Sequence, residues 1–192
     1  ISDLTVTGGL AEGSYPNNLG GGMRLSNSNP TLTHVTISGN TADYYGGGMY
    51  VAFSNPILTH VTIAGNTANS SGGGMILNES DPTLANVTIS GNTAEFGGGM
   101  YVFFSNPTLT HVTISGNTAE LGGGIYVAFS NPTLTNSIAW NNSPESIYLF
   151  TGDEDPLITY SDVEGGWEGE GNIDADPLFT DPDGGDYSLQ DG

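Results

Sequence analysis

Residues 46–68 have the sequence GGGMYVAFSNPILTHVTIAGNTA, and versions of this stretch fill most of the chain. A triple glycine begins at residues 20, 46, 72, 97 and 122, so successive repeats are 26, 26, 25 and 25 residues long. In every repeat a proline follows ten residues after the first glycine, and an asparagine follows twenty residues after it. Self-similarity at a fixed period of this size predicts stacked structural repeats.

Apolar residues alternate with polar ones in short runs inside each repeat. Met49-Tyr50-Val51 and Val61-Thr62-Ile63 each place two apolar side chains on one face, which is the period of a β-strand. Glycine and β-branched residues disfavour helix throughout. One repeat cannot bury its apolar residues alone, so neighbouring repeats must stack at a spacing of about 4.8 Å.

We therefore predict an all-β fold, a single-stranded right-handed parallel β-helix. One turn of the helix, here called a rung, corresponds to one repeat of 25–26 residues and contains three short strands. The right hand follows from the general preference of parallel crossover connections. About five regular rungs are expected, with degenerate ends.

The regularity of the repeat also predicts the organisation of the chain. Leu4-Thr5-Val6 matches the last strand of a rung, so we expect further rungs, a cap or a neighbouring molecule before this point. Ile138 and Trp140 occupy positions that hold Thr and Ser in earlier rungs, which predicts a cover formed by the C-terminal segment. The predicted segments are a partial rung and loop (1–19), five regular rungs (20–146), a degenerate sixth rung (147–163) and an irregular acidic cap (164–192).

The charge of the chain limits its partners. Arg24 is the only arginine, lysine is absent, and the formal net charge is −20. Binding to nucleic acid or to an anionic membrane needs Lys and Arg, so neither partner is expected. No apolar run approaches the roughly 18 residues of a membrane span, so no membrane insertion is expected either. Of the 21 carboxylates, seven lie in residues 1–140 and 14 in residues 141–192.

Two segments and the tail resemble a known group of proteins. GGGMYVAFSNPILTHVTIAGNTA (46–68) and GGGIYVAFSNPTLTNSIAWNN (122–142) resemble the rungs of bacterial secreted and cell-surface β-helix repeat proteins, and the pattern is also similar to autotransporter passenger repeats. The tail YSDVEGGWEGEGNIDADPLFTDPDGGDYSLQDG (160–192) is similar to the usual ending of such proteins. The resemblance implies an extracellular or cell-surface location, and it implies no activity.

Two polar columns, meaning equivalent positions in successive rungs, are expected to form structural turns. The first column lies at a bend between two strands, where His and Asn both tolerate a left-handed backbone. Its histidines could hold a metal, but no carboxylate is evident beside them, and asparagine takes the position in two rungs. The second column follows a glycine and forms a turn. The columns are His34, His60, Asn86, His111 and Asn136, and Asn40, Asn66, Asn92, Asn117 and Asn142.

Two aromatic columns are the candidate contact residues. A regular line of outward-facing rings could stack on sugars, contact a protein partner or another copy of the chain, or pack on itself. The candidates for partner or glycan contact are Tyr50, Tyr101 and Tyr126, and Phe53, Phe104 and Phe129.

The acidic tail suggests one metal site. Asp181, Asp183 and Asp186 alternate with glycine and proline, an oxygen-rich pattern that calcium favours, although the spacing does not complete an EF-hand loop. No cofactor is required by any other feature of the sequence. Calcium on these three aspartates is therefore an expectation, and solvated carboxylates are the alternative.

Catalysis is not expected. A β-helix lyase needs a base and cations, and Arg24 is the only such residue. Glu79 and Asp81 are close in sequence but have no His or Lys beside them, and no Ser-His-acid set is visible. We therefore predict an extracellular structural or adhesive β-helix, part of a longer chain or of an end-to-end assembly. The alternative is a carbohydrate-binding module that uses the aromatic columns.

Overall fold

A computed structural model describes residues 1–151 and 154–190. Residues 152–153 and 191–192 lie outside the described residues, so the predicted sixth rung (147–163) and acidic cap (164–192) are each described in part. The described residues form 21 β-strands and no α-helix, and none of them belongs to a helix that could cross a membrane. In chain order the strands are β1 (Ser2–Thr7), β2 (Leu10–Ala11), β3 (Met23–Ser26), β4 (Thr31–Ser38), β5 (Thr41–Ala42), β6 (Met49–Ala52), β7 (Ile57–Thr59), β8 (Thr62–Ala64), β9 (Thr67–Ala68), β10 (Met75–Asn78), β11 (Thr83–Ser90), β12 (Met100–Phe103), β13 (Thr108–Ser115), β14 (Ile125–Ala128), β15 (Thr133–Thr135), β16 (Ile138–Trp140), β17 (Ile147–Leu149), β18 (Leu157–Thr159), β19 (Asp162–Val163), β20 (Phe179–Asp181) and β21 (Asp186–Leu189).

Three parallel sheets run along the stack. The first contains β1, β4, β7, β8, β11, β13, β15, β16, β18 and β19, the second is ordered β17-β14-β12-β10-β6-β3, and the third is β2-β5-β9. Every strand in them pairs in parallel with the equivalent strand of the next rung, as Met49 pairs with Met75 and Thr62 with Thr88. This confirms the predicted all-β parallel β-helix. The rungs are numbered one to five by the triple glycines at 20, 46, 72, 97 and 122.

The core consists of columns of identical or similar apolar residues. Met49, Met75 and Met100 stack at the same depth, as do Ile63 and Ile89, and all five have no exposed surface. Burying one such side chain contributes about 1.5–3 kcal/mol. Each column is closed by the rungs above and below it, so the core exists only when the rungs stack.

The triple glycine is required by close backbone packing. Gly46 has φ +68°, a conformation that strains other residues. A Cβ on Gly47 would collide with the carbonyl oxygens of Thr67 and Gly73, which belong to the same rung's turn and to the next rung. Substitution at the second glycine would therefore push two rungs apart.

The second polar column forms a buried amide ladder. Asn92 Oδ1 accepts hydrogen bonds from the backbone N–H and from Nδ2 of Asn66, at 2.9 and 3.0 Å. Asn92 Nδ2 donates to Asn117 Oδ1 at 2.9 Å and to the carbonyl oxygen of Ile63 at 3.0 Å. The same side-chain-to-side-chain bonds join Asn40, Asn66, Asn92, Asn117 and Asn142, all buried. The ladder thus links the rungs through side chains as well as backbone.

The C-terminal segment lies against the end and one side of the helix. Trp167 packs on the core, and Ile173 makes a bridge to Asp162 of the last rung. Strands β20 and β21 form an antiparallel hairpin, and Phe179 at its start lines a cavity together with Trp140. The position where Trp replaces Ser therefore faces the folded-back tail.

We expect Asn92→Ala to lower the free energy of unfolding by about 3 kcal/mol, because the buried backbone N–H of Asn66 loses its partner and the side chains of Asn66 and Asn117 each lose one of their bonds. The exposed Asn55, whose Oδ1 accepts a bond from the backbone of Asp81 at 2.7 Å, provides the control. Asn55→Ala should cost about 1 kcal/mol or less, since water replaces the lost bond. Urea unfolding measures both, and equal losses would contradict the structural role of the buried ladder.

Candidate functional site

The most unusual surface of the molecule is a line of phenylalanines at the bend that follows each second-sheet strand. Phe53, Phe104 and Phe129, here called the phenylalanine stripe, have φ of +52°, +47° and +52°. Their side chains are 52 %, 52 % and 49 % exposed. Each ring therefore stands half in solvent on a left-handed backbone.

Neither the local conformation nor burial accounts for phenylalanine at this bend. The left-handed region costs a residue with a Cβ about 1–2 kcal/mol, with Asn and Asp tolerating it best, and glycine avoids this cost because it has no Cβ. Asn27 fills the equivalent position of rung one with φ +54°, which shows the residue type that the bend itself favours. The chain nevertheless carries a large apolar ring there in three rungs.

Neighbouring rings extend the stripe into a continuous apolar surface on rungs four to six. Phe104 and Phe129 stack with ring centroids 5.0 Å apart and planes 12° apart. Phe103 lies 4.5 Å from Phe104, and Phe150 lies 5.6 Å from Phe129, both edge-on. Phe53 is set apart from this cluster by Glu79, which occupies the same column on rung three with φ +49°.

A buried serine ladder holds this bend in place. Ser54, directly after Phe53, donates from Oγ to the carbonyl oxygen of Ala52 at 2.8 Å and accepts from the backbone N–H of Ser28 at 3.0 Å. The pattern continues through Ser80, Ser105 and Ser130. This serine column was not predicted, although Ser-Asn-Pro or Ser-Asp-Pro recurs in every regular rung.

The tyrosine column differs from the expected exposed ladder. Tyr50 and Tyr126 are only 8 % and 5 % exposed, and Tyr101 is partly buried. The loop before each triple glycine folds over the second sheet and places residues such as Leu19 and Tyr45 on these rings. Burial raises the pKa of Tyr126 to about 12, so its phenol stays neutral at physiological pH. The sequence-based expectation of an exposed aromatic line at Tyr50 and Tyr126 is therefore wrong.

One gap opens in this covered face, on rung three. Ser71 stands where neighbouring rungs have Tyr45 and Phe96, and Ile76 stands where they have tyrosine. The smaller side chains leave a cavity of about 170 Å³, here called the tyrosine cleft. It is lined by Tyr45, Tyr50, Ser71, Ile76, Asn78, Tyr101 and Phe103.

The histidine and asparagine column lies at an exposed bend. His34, His60, Asn86, His111 and Asn136 all have φ between +51° and +54°. The rings of His34 and His60 stack with centroids 5.0 Å apart.

Asp3 occupies the same column on the partial rung that precedes rung one, with its Oδ1 3.9 Å from Nδ1 of His34. The sequence-based statement that no carboxylate accompanies these histidines is therefore wrong. Matching Leu4-Thr5-Val6 to the strand after His34 would have placed Asp3 there. Even so, across residues 1–151 and 154–190 no three Asp, Glu or His side chains are grouped to hold a metal ion.

The three aspartates expected to bind calcium lie in and beside the β20–β21 hairpin. Asp181 Oδ1 accepts a bond from the backbone N–H of Gly184 at 3.1 Å. Asp186 Oδ1 accepts from Oγ and N of Ser188, at 2.6 and 3.0 Å, and these bonds lower its pKa. Asp183 lies exposed in the turn. Asp181 and Asp186 thus cap the hairpin's own backbone, and calcium on these three aspartates stays a prediction.

Two buried carboxylates lie near the end of the helix. Burial raises the pKa of Glu154, but bonds from the backbone of Phe129 and from Thr151 outweigh it, and the pKa is lowered. Burial also raises the pKa of Asp162, and the charges of Asp174 and Asp176 raise it further. Beyond the last bond of the serine ladder, Glu154 Oε1 accepts a hydrogen bond from the backbone N–H of Phe129 at 3.1 Å, so Glu154 caps the backbone there.

We expect Phe53→Asn to raise the free energy of unfolding by about 1 kcal/mol, because Asn tolerates the left-handed backbone better than Phe. Thermal and urea unfolding measure the change. Ile57→Asn is the matched control, since Ile57 is 48 % exposed but lies in a strand, where Asn is unfavourable. A loss of stability in Phe53→Asn as large as in Ile57→Asn would show that the ring stabilises the fold.

Comparison with known proteins places the molecule in a family. The family model described as a right-handed β-helix region matches residues 7–163, which include all five regular rungs. No curated protein and no solved structure matches the chain. The parallel stack of rungs and this match agree, and the chain belongs to the right-handed β-helix family.

Proposed function

We propose that this protein is an extracellular structural and adhesive element, a rigid column that binds a partner through the phenylalanine stripe without catalysing a reaction. One observation carries the proposal: Phe53, Phe104 and Phe129 are half exposed on a backbone conformation that disfavours them. A bend that only had to hold the backbone is expected to carry Asn, as rung one does at Asn27. A contact surface has a use for these rings, because aromatic rings contribute strongly to protein interfaces.

The regular spacing of the rungs supports an adhesive role. Rings on successive rungs are held about 5 Å apart by backbone pairing, as the Phe104–Phe129 centroid distance of 5.0 Å illustrates. A surface ordered before it meets its partner loses little conformational entropy on binding. The resemblance of the repeats to those of bacterial cell-surface β-helices supports the extracellular location.

A non-enzymatic role is supported by the distribution of reactive side chains. The histidines stand in a column that asparagine fills in two rungs, and the single arginine, Arg24, donates to the carbonyl oxygen of Pro16 at 3.4 Å. Near-identical rungs suit a structural column, whereas an active site would break the repetition.

We expect the double substitution Phe104→Asn/Phe129→Asn to abolish adhesion while the protein remains folded, because Asn suits the bend and the apolar contact is lost. Beads that carry the chain are tested in flow over protein-coated, polysaccharide-coated and bare surfaces. Ile57→Thr is the control, since it removes an exposed apolar side chain and Thr fills that position in the other regular rungs. Equal retention of the double variant and the native chain on protein would refute the proposal.

The tyrosine cleft favours a second candidate function, binding of a neutral sugar. Tyr50 and Tyr101 lie two rungs apart, about 9.6 Å by strand spacing, and the smaller Ile76 between them leaves room at the cleft for one face of a saturated ring to meet a phenol ring. Ser71 and Asn78 supply hydrogen-bonding groups at the same place. Aromatic walls with a few polar groups are typical of small-molecule sites.

We expect Ile76→Tyr to abolish any such sugar binding, because it restores the tyrosine column and fills the cleft. Titration of the native chain with a panel of neutral saccharides, followed by tyrosine fluorescence, measures the affinity. Phe104→Asn/Phe129→Asn should leave this binding unchanged. Absence of binding by the native chain across the panel would remove the second candidate.

A further inference from the structure

We propose that the phenylalanine stripe, together with the acidic rung that interrupts it, binds a cationic segment of a partner protein that carries arginine or lysine. This inference rests on the proposed adhesive function and specifies the chemistry of its partner. Its basis is a coincidence of two substitutions on rung three. Rungs two, four and five have Phe-Ser-Asn-Pro at the bend, whereas residues 79–82 are Glu-Ser-Asp-Pro.

The two acidic residues stand at the centre of the aromatic line. Glu79 occupies the column position between Phe53 and Phe104, and parallel pairing sets it about 4.8 Å from each along the stack. Asp81 lies two residues further on the same rung and is exposed. Its Oδ1 accepts a hydrogen bond from the backbone N–H of Asn106. In the neighbouring rungs the uncharged side-chain Oδ1 of Asn55 and of Asn106 accepts the equivalent bond. The turn therefore does not require a charge at position 81.

The Glu79 carboxylate is available to a ligand. It is exposed, and within the described ranges no ion pair or hydrogen bond engages it. The one arginine of the chain, Arg24, lies on rung one and donates to Pro16. A cation for this carboxylate must therefore come from another molecule.

Carboxylates beside aromatic faces match the chemistry of guanidinium and ammonium groups. The face of a phenyl ring attracts a cation that lies within about 6 Å of its centroid. A carboxylate adds a charge-assisted hydrogen bond, which arginine can make in bidentate geometry. Phe53 and Phe104 on either side of Glu79 offer both interactions, and the Phe104–Phe129 pair continues the apolar surface for the rest of the segment.

The charge of the chain argues against the other occupants. A second copy brings its own net charge of −20, and nucleic acid brings phosphates. Both would be repelled by the carboxylates of Glu79 and Asp81 at this bend. A cationic segment is instead attracted by the whole molecule and fixed by this rung.

The test uses synthetic peptides of about twelve residues, long enough to span the stripe when extended. Serine alternates with arginine in the first peptide, with the neutral isostere citrulline in the second and with glutamate in the third. Fluorescence anisotropy should show binding of the arginine peptide alone, weakened as NaCl rises from about 0.05 to 0.5 M. Glu79→Gln/Asp81→Asn should weaken this binding about tenfold, and Phe104→Asn/Phe129→Asn by a similar factor.

A matched variant controls for net charge. Glu95→Gln/Glu120→Gln removes two exposed carboxylates from the loops before the triple glycines and should bind the arginine peptide nearly as the native chain does. Equal binding by Glu79→Gln/Asp81→Asn and by this control would overturn the proposal. Two other results would also overturn the proposal. One is a dimer of the native chain in sedimentation that Phe104→Asn/Phe129→Asn abolishes, and the other is binding of the citrulline peptide as tight as that of the arginine peptide.

The flow assay separates failure of this proposal from failure of the adhesive function. If Glu79→Gln/Asp81→Asn keeps full retention on protein and full peptide binding while Phe104→Asn/Phe129→Asn loses retention, adhesion stands and the cationic partner is refuted. If Phe104→Asn/Phe129→Asn also keeps full retention, the adhesive function itself is refuted.

Discussion

Parallel pairing between equivalent residues is the constraint on which the whole molecule depends. Each strand satisfies its backbone by pairing with the next rung, as in the β11–β13 register from Thr83↔Thr108 to Ser90↔Ser115. The buried asparagine ladder adds side-chain bonds at the same spacing. A rung that followed a different path would leave both sets of polar groups unpaired in a dry interior. The path of one rung therefore fixes the path of all.

This constraint explains how unfavourable local conformations persist. The bend after each second-sheet strand is left-handed in every regular rung, whether the residue is Asn27, Phe53 or Glu79. The serine ladder and the strands on both sides determine the backbone there, so the side chain is free to vary. We infer that function is carried at positions where the fold fixes the backbone and leaves the side chain unspecified. Rung three differs from its neighbours in two places, at the acidic bend and at the tyrosine cleft.

Charge and apolar surface are separated along the chain. Residues 1–140 contain seven carboxylates and form most of the column, while the other 14 lie in residues 141–192, at the end of the column and in the tail. Several tail aspartates cap local turns, as Asp181 and Asp186 do. The phenylalanine stripe is thus displayed on the less charged part of a strongly acidic molecule. Such a distribution attracts cations over a distance without placing charge on most of the contact surface.

The amino-acid sequence by itself determined the architecture, because a period of 25–26 residues and alternating apolar runs leave no other way to bury Met49, Leu58 and Ile63. It also placed His34 and its equivalents at a bend and Phe53 in a regular outward column. It could not show that Tyr50 and Tyr126 are covered, since that depends on how the loops before the triple glycines fold over the second sheet. Nor could it show that Asp181 bonds its own turn. Those outcomes depend on contacts between segments outside the repeat period, and only the tertiary structure decides them.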